Sequence, residues 1–279
     1  MFEIASKILP PSRSVRSLHP WIESQRFEAV PQKDVLDQIL RLVEEAVRRR
    51  VRQGGKPVKV IFDLDSTLFD VKPRSLRILK EFAATPEARE FGSEYVNWCQ
   101  GLQAHQLVYT IQESAAANGF PRGAKGEEFL KKAFQYWMGR FFTHSYVQVD
   151  HPVPGAADYV KAVVDRGAVA VYLTGRDWPG MGRGTQAMLR HWGFPLCTGE
   201  GELVMKPSFG TDDSEFKDAA LRDLRIHGEA VALFDNEPAN FHVFEKNFPA
   251  AHLVFFHSNC SGKEAKAVSK IYRIESFLR

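Results

Sequence analysis

The chain has 279 residues, 44% hydrophobic and 25% charged, enough for one large α/β domain with an insertion. Its 37 Lys and Arg against 34 Asp and Glu give a net charge of +3, too small to argue for a nucleic-acid surface by charge alone. The three cysteines, Cys99, Cys197 and Cys260, lie far apart without C-x-x-C spacing, which excludes a sequence case for a disulfide framework or zinc site. No run stays apolar for the ~20 residues of a membrane span, and the proline-broken N-terminus lacks the apolar centre of a secretory signal. A cytoplasmic protein without a membrane partner is expected.

Residues 1–30 read as an irregular arm, and residues 32–52 as an amphipathic helix with Val35, Leu36, Ile39, Leu42, Val43, Ala46 and Val47 on one stripe. The arginines of its last turn, Arg48, Arg49, Arg50 and Arg52, complement the helix dipole, so a nucleic-acid partner is not needed to explain them. The apolar run 58–62 reads as a buried strand, followed by further runs at 168–173, 203–205, 230–234 and 252–256. Helical patterns at 156–166, 184–192, 214–224 and 241–247 separate most of them, which predicts a largely parallel sheet covered on both faces. Residues 72–150 break the alternation. They carry helical patterns around 76–84, 94–118 and 127–142 and many aromatics, and read as a helical insertion directly after the first strand.

Three strand ends carry polar groups. After the first come Asp63 and Asp65, two carboxylates at positions that face one side of an extended chain, costly unless a cation lies beside them. A polar helix-capping turn would explain one of these acids but not both. After the second come Thr174, whose hydroxyl can bond a ligand, and Gly175, which lets backbone N–H approach one. After the third comes Asp235, with Asn236, Glu237 and Asn240 as further oxygen donors. Asp63, Asp235 and the backbone carbonyl of Asp65 make a set suited to magnesium. Lys217, in the first turn of the pattern 214–224, is preferred as the balancing cation over Lys206. Open α/β sheets bind ligands at such strand ends.

In this order, Asp63-Leu64-Asp65-Ser66-Thr67 resembles the first motif, D-x-D-x-[TV], of the haloacid dehalogenase-like (HAD) phosphohydrolases. Leu173-Thr174-Gly175-Arg176 resembles their second motif, Lys217 the third, and Asp235 with its neighbours the acidic fourth. Two departures stand out: Ser66 where the family often has Gly, and Asn236 where a second acid is usual. The resemblance implies a Rossmann-like α/β core at 56–71 and 151–279, a helical C1-type cap at 72–150, and an N-terminal arm and helix at 1–55 outside the common core.

It also implies a Mg2+-dependent phosphatase acting on a small phosphorylated substrate. Asp63 would be the nucleophile and Asp65 the general acid and base. Asp63, Asp65 and Asp235 would hold the metal, and Thr174 and Lys217 would assist catalysis. Ser66, Thr67, Gly175 and Arg176 would lie at the substrate. The second carboxylate, Asp65, favours phosphoester over dehalogenase chemistry. A phosphotransferase or mutase on the same site, a nucleic-acid end phosphatase and a non-catalytic phosphate-binding domain are the alternative readings.

Overall fold

The computed structural model describes residues 19–279, so residues 1–18 of the expected arm lie outside it. Eight strands form: β1 (Val58–Phe62), β2 (Phe69–Asp70), β3 (His151–Pro152), β4 (Val169–Asp177), β5 (Gly201–Lys206), β6 (Glu229–Asp235), β7 (His252–Phe256) and β8 (Ile271–Ile274). Six of them make one sheet in the order β5-β4-β1-β6-β7-β8, with every neighbouring pair parallel. The chain runs outward from β1 through β4 to β5, then crosses back to β6 on the other side of β1. That reversal opens a crevice at the carboxyl ends of β4, β1 and β6.

The strand period of two sorts side chains onto two faces. Val58, Val60 and Phe62 of β1 join Ala170 and Tyr172 of β4 and Val254 and Phe256 of β7 in one apolar cluster. It is closed by α2 (Gln32–Gln53), α9 (Ala156–Val164) and α10 (Trp178–His191). Ile61, Val171, Leu173, Leu253 and Phe255 face the other way, under α1 (Pro20–Ser24), α11 (Asp213–His227) and α12 (Phe241–Asn247). Each such side chain contributes about 1.5–3 kcal/mol when fully buried. The expected doubly covered α/β sheet is therefore the one observed.

Helix α2 buries Val35, Leu36, Ile39, Leu40, Val43 and Ala46 in the first cluster, so it is an integral wall of the core. Its Arg48 and Arg49 pair with Glu44 and Glu229. Part of the arm is helical: in α1, Trp21 stacks on Phe241 at 5.7 Å and donates from Nε1 to the Lys266 carbonyl at 2.9 Å. The edge strand β8 gave no sequence signal because its four residues include Arg273.

Between β2 and β3 lie α3 (Lys72–Ala83), α4 (Pro86–Phe91), α5 (Ser93–Gly101), α6 (Ile111–Ala117), α7 (Ala124–Phe141) and α8 (His144–Val147). The helix expected over 94–118 is broken: Leu102 is extended after Gly101, and Thr110 restarts the chain with a capping box to Glu113. Leu79, Phe82, Ala88, Tyr95, Cys99, Ile111, Phe129 and Ala133 form a third apolar cluster, separate from the two on the sheet. The chain enters and leaves this unit through β2 and β3, which pair antiparallel, Phe69 with Pro152 and Asp70 with His151. Among the described residues no helix is long and apolar enough to cross a membrane.

Candidate active site

Asp63 follows β1 directly, and its backbone N–H donates to the Phe234 carbonyl of β6 at 2.9 Å. The chain then folds tightly over the Leu64 carbonyl, which accepts from the N–H groups of Thr67, Leu68 and Phe69. Leu64 and Leu68 anchor this loop in the core. Ser66 sits within it at φ 62°, the only non-glycine with positive φ among the described residues. That conformation explains why glycine is common here in similar sequences, and it costs a serine roughly 1–2 kcal/mol.

Lys217, buried on α11, bridges two strand ends. Its Nζ donates to Asp63 Oδ1 at 2.9 Å and to Asp235 Oδ2 at 2.7 Å. Asp235 is fully buried; its Oδ2 also accepts from Asn240 Nδ2 at 2.9 Å, and its Oδ1 from the Glu237 N–H at 2.7 Å. Burial pushes the Asp63 carboxyl up to about 8; Lys217 pulls against this, while the charges of Asp235 and Asp65 add to it. Burial also opposes the charge on Lys217, but Asp235 and Asp63 outweigh it and raise its pKa above the ordinary value. Lys206 lies elsewhere, paired with Asp213 at 2.8 Å and donating to the Thr211 carbonyl at 3.0 Å.

Asp65 belongs to a second cluster. Its Oδ1 accepts from Arg74 Nη2 at 2.9 Å and Arg176 Nη2 at 3.0 Å, and its Oδ2 from Arg176 Nε at 2.7 Å. Both guanidiniums also hold Asp150. Arg176 Nη2 lies 2.8 Å and Arg74 Nε 2.8 Å from its oxygens, and Arg74 Nη2 makes a further bond. Burial works against an ionised Asp65, but Arg176 and Arg74 outweigh it and bring its carboxyl down to about 2. Burial pushes the Asp150 carboxyl up, against the pull of the same two arginines.

The remaining expected residues divide. Thr174 is fully buried, its Oγ1 accepting from the Arg176 N–H at 3.3 Å, and Gly175 lies open against Asp213. Arg176, expected at the substrate, is instead 2% exposed, with its guanidinium held by Asp65, Asp150 and Thr185. Thr67 is likewise not at the substrate: it is fully buried and donates from Oγ1 to Asn236 Oδ1 at 3.1 Å, tying the first strand end to the third. Ser66 lies in the same loop, its N–H bonded to the Phe69 carbonyl at 2.7 Å. Glu237 Oε2 accepts from the Ser261 N–H at 2.9 Å, while its Oε1 is buried with no hydrogen-bond partner. Arg74 and Asp150 had escaped notice. Arg74 carried a legible signal, a charge four residues before Ile78 on the apolar stripe of α3. Asp150, in an irregular turn, carried none.

The sequence family described as haloacid dehalogenase-like hydrolase matches residues 60–240, well over half of the chain. The protein belongs to the HAD-like hydrolases. No curated protein matches it. Among solved structures, it is similar to a HAD-superfamily hydrolase, subfamily IA, variant 1, of Geobacter sulfurreducens. That pair shares 17% identity at TM-score 0.45, with 80% of this chain and 94% of the other covered. YfnB of Bacillus subtilis, described as a HAD hydrolase and solved bound to magnesium, shares 14% identity at TM-score 0.41, with 80% and 96% covered. A phosphatase predicted in Clostridium acetobutylicum shares 14% at TM-score 0.43, with 73% and 86% covered. At these scores the family assignment rests on the sequence match.

For this HAD-like hydrolase the question of a metal falls on the Lys217 cluster. Two carboxylates there share one ammonium, and burial leaves Asp63 with a raised pKa. Glu237 Oε1 is an orphaned buried oxygen two residues from Asp235. Among the described residues no three carboxylate, imidazole or thiolate side chains form a ready cage. Both Asp65 oxygens are taken by guanidiniums, so only its backbone carbonyl is left to offer. Two hard carboxylates, a carbonyl and room for water are the donor set that suits magnesium.

Proposed function

We propose that this hydrolase is a phosphatase that cleaves a small phosphomonoester through an aspartyl-phosphate on Asp63. The observation that carries the reading is the single buried ammonium of Lys217 bridging Asp63 and Asp235 at the switch point of the sheet. An acid held among like charges there needs positive charge to be reactive, and a phosphate dianion needs the same.

Asp63 Oδ2 makes no hydrogen bond among the described residues and is the oxygen free to attack phosphorus. As the Asp63–phosphorus bond forms, the bond to the ester oxygen breaks, and a proton from Asp65 neutralises the leaving alkoxide. Water then attacks the same phosphorus with Asp65 as base, releasing inorganic phosphate and restoring the Asp63 carboxylate. Lys217, the Thr174 hydroxyl and the Gly175 N–H would hold the other phosphate oxygens. Asp63, Asp235 and the Asp65 carbonyl would hold Mg2+, which when bound neutralises the charge of the transferring phosphoryl group. The helical unit over residues 72–150 serves as the cap that excludes water, and the aromatics of its own core hold it together.

The test is a panel of phosphomonoesters assayed for phosphate release with and without magnesium, beside Asp63→Asn. We expect metal-dependent release, lowered about 10⁴-fold or more by the substitution. Unchanged turnover in Asp63→Asn would remove the nucleophile and the reading with it.

A further inference from the structure

Asp65 cannot serve a leaving group as it is held here. All three of its hydrogen bonds come from guanidiniums, covering both oxygens. One arginine must therefore withdraw before the carboxylate can reach an ester oxygen. The two arginines ride on different bodies. Arg176 follows β4 of the sheet, whereas Arg74 lies in the first turn of α3, where the chain enters the helical unit. Asp150 stands where the chain leaves that unit, just before β3, and binds both arginines.

The two crossings are not equally fixed. The exit is seated on the sheet side, because α8 packs onto α10 at glycines. A Cβ on Gly184 would meet the His144 carbonyl at 2.4 Å, and one on Gly180 the Phe142 carbonyl at 2.8 Å. Trp192 Nε1 adds a bond to the Asp150 carbonyl at 3.2 Å. The entrance has only the two-residue ribbon of β2 with β3, and beyond it an apolar cluster of its own. Rotation of the helical unit about that ribbon displaces Arg74 while leaving Arg176 and Asp150 in place. Arg74 otherwise bonds only within the unit it travels with, from Nη1 to the Phe141 carbonyl at 3.1 Å and face-on to the Phe141 ring at 4.2 Å.

We propose that Arg74, with Asp150 as its fixed counter-ion, is a positioning residue for Asp65, coupling the placement of the helical unit to the carboxylate that protonates the leaving group. The proposal rests on the phosphatase reading for the role of Asp65, but the coupling itself is a property of the four side chains. When the unit moves, Asp65 exchanges Arg74 for the substrate oxygen. When it returns, Arg74 realigns Asp65 for the next turnover.

Two measurements on the full chain test this. In the first, ethyl phosphate and p-nitrophenyl phosphate are compared in wild type, Asp65→Asn, Arg74→Gln, Arg74→Lys and the Asp65→Asn/Arg74→Gln double variant. Nitrophenolate leaves without a proton, so a defect acting through Asp65 is selective for the ethyl ester. We expect Arg74→Gln to lower kcat for ethyl phosphate by about 10–100-fold and for p-nitrophenyl phosphate by less than about 3-fold, with KM nearly unchanged. Arg74→Lys restores part of the loss, and Arg74→Gln adds less than about 2-fold to Asp65→Asn. Equal losses on both esters, or losses that multiply in the double variant, overturn the proposal.

The second measurement needs no turnover. Spin labels at Lys131→Cys on α7 and Asp223→Cys on α11, with Cys197→Ser and Cys260→Ser, report the distance between unit and sheet. Asp65→Asn and Arg74→Gln should each broaden or shift that distance, and wild-type distributions in both overturn the coupling. Failure of the wild type to release phosphate from either ester sinks the phosphatase reading alone, and the label distances then decide the coupling.

Discussion

Asp63 and Asp65 are two residues apart in one loop, yet they belong to opposite electrostatic designs. Around Asp63, two buried acids share one base, Lys217. Around Asp65, two acids meet two bases, Arg74 and Arg176, and every charge is answered. The first cluster is short of positive charge and holds its acid at a raised pKa of about 8, while the second holds its acid down at about 2. A deficit of this kind leaves a demand that a cation and a phosphate site can meet, and a balanced cluster gives rigidity and alignment. The same residue type, in the same loop, is thereby prepared for two different tasks.

The largest effect that would break this contrast is on turnover. Lys217→Ala removes the only base from the first cluster and leaves Asp63 and Asp235 facing each other. We expect kcat to fall about 10²–10³-fold on a phosphomonoester, whereas Lys206→Ala, whose ammonium pairs with Asp213, changes it by far less. Comparable losses in the two variants would show that the bridging position is not what matters.

The second cluster should be felt most in stability. Asp150→Leu leaves Arg74 and Arg176 with Asp65 as their only acid, deep inside the protein. Removing one partner of a buried pair costs about 3–5 kcal/mol, against about 0–1 kcal/mol for an exposed pair such as Arg49 with Glu229. Urea unfolding of Asp150→Leu and Arg49→Ala measures the difference; a cost below about 1 kcal/mol for Asp150→Leu would make the network ornamental.

A smaller effect, opposite in sign, is expected at Asp63. Its folded pKa of about 8 lies above the ordinary 3.8, so across that interval the folded chain keeps a proton that the unfolded chain has lost. This group's contribution to stability is therefore fully present below the unfolded value and is lost as pH rises towards 8. Without metal, Asp63→Asn should melt higher than wild type at pH 8 by about 2–4 °C or more, and the gap should close towards pH 4. Magnesium should raise the melting temperature of wild type and not of Asp63→Asn. A gap that is constant with pH would show that Asp63 carries no such strain.

How legible these clusters were in the sequence follows from the distances along the chain. Strand runs ending in Asp63, Thr174 and Asp235 were readable because burial on both faces demands continuous apolar residues, and the polar residue that ends each run stands out. Lys217 was readable because a helix after β5 must return it to the same edge. The partners of Asp65 were not. Arg74 and Asp150 lie 76 residues apart and bond each other only because the helical unit closes back on its own entrance. Periodicity carries no information about that closure. It also missed β8 and the break at Leu102, where short elements and local caps outweigh any repeat. Arg176 was placed in the right loop but on the wrong side of it: a motif fixes where the backbone goes, and the pairing of its guanidinium depends on an acid supplied from elsewhere.

The smallest expected effect lies at the turn that lets the loop serve both clusters. Ser66 holds φ at 62°, where its Cβ crowds the following carbonyl, and this turn separates the end of β1 from the ribbon. Ser66→Gly removes that strain, roughly 1–2 kcal/mol, but also frees the unfolded chain by about 0.4–1 kcal/mol, so the net gain should be near or below 1 kcal/mol. Ser66→Val sets the opposite limit, because a β-branched side chain at positive φ is strained further. If Ser66→Gly is the more stable protein yet turns over more slowly, the strained serine fixes the relative orientation of Asp63 and Asp65. If stability rises and kcat holds, the backbone from Leu64 to Phe69 alone is sufficient to keep the two carboxylates on their separate bases.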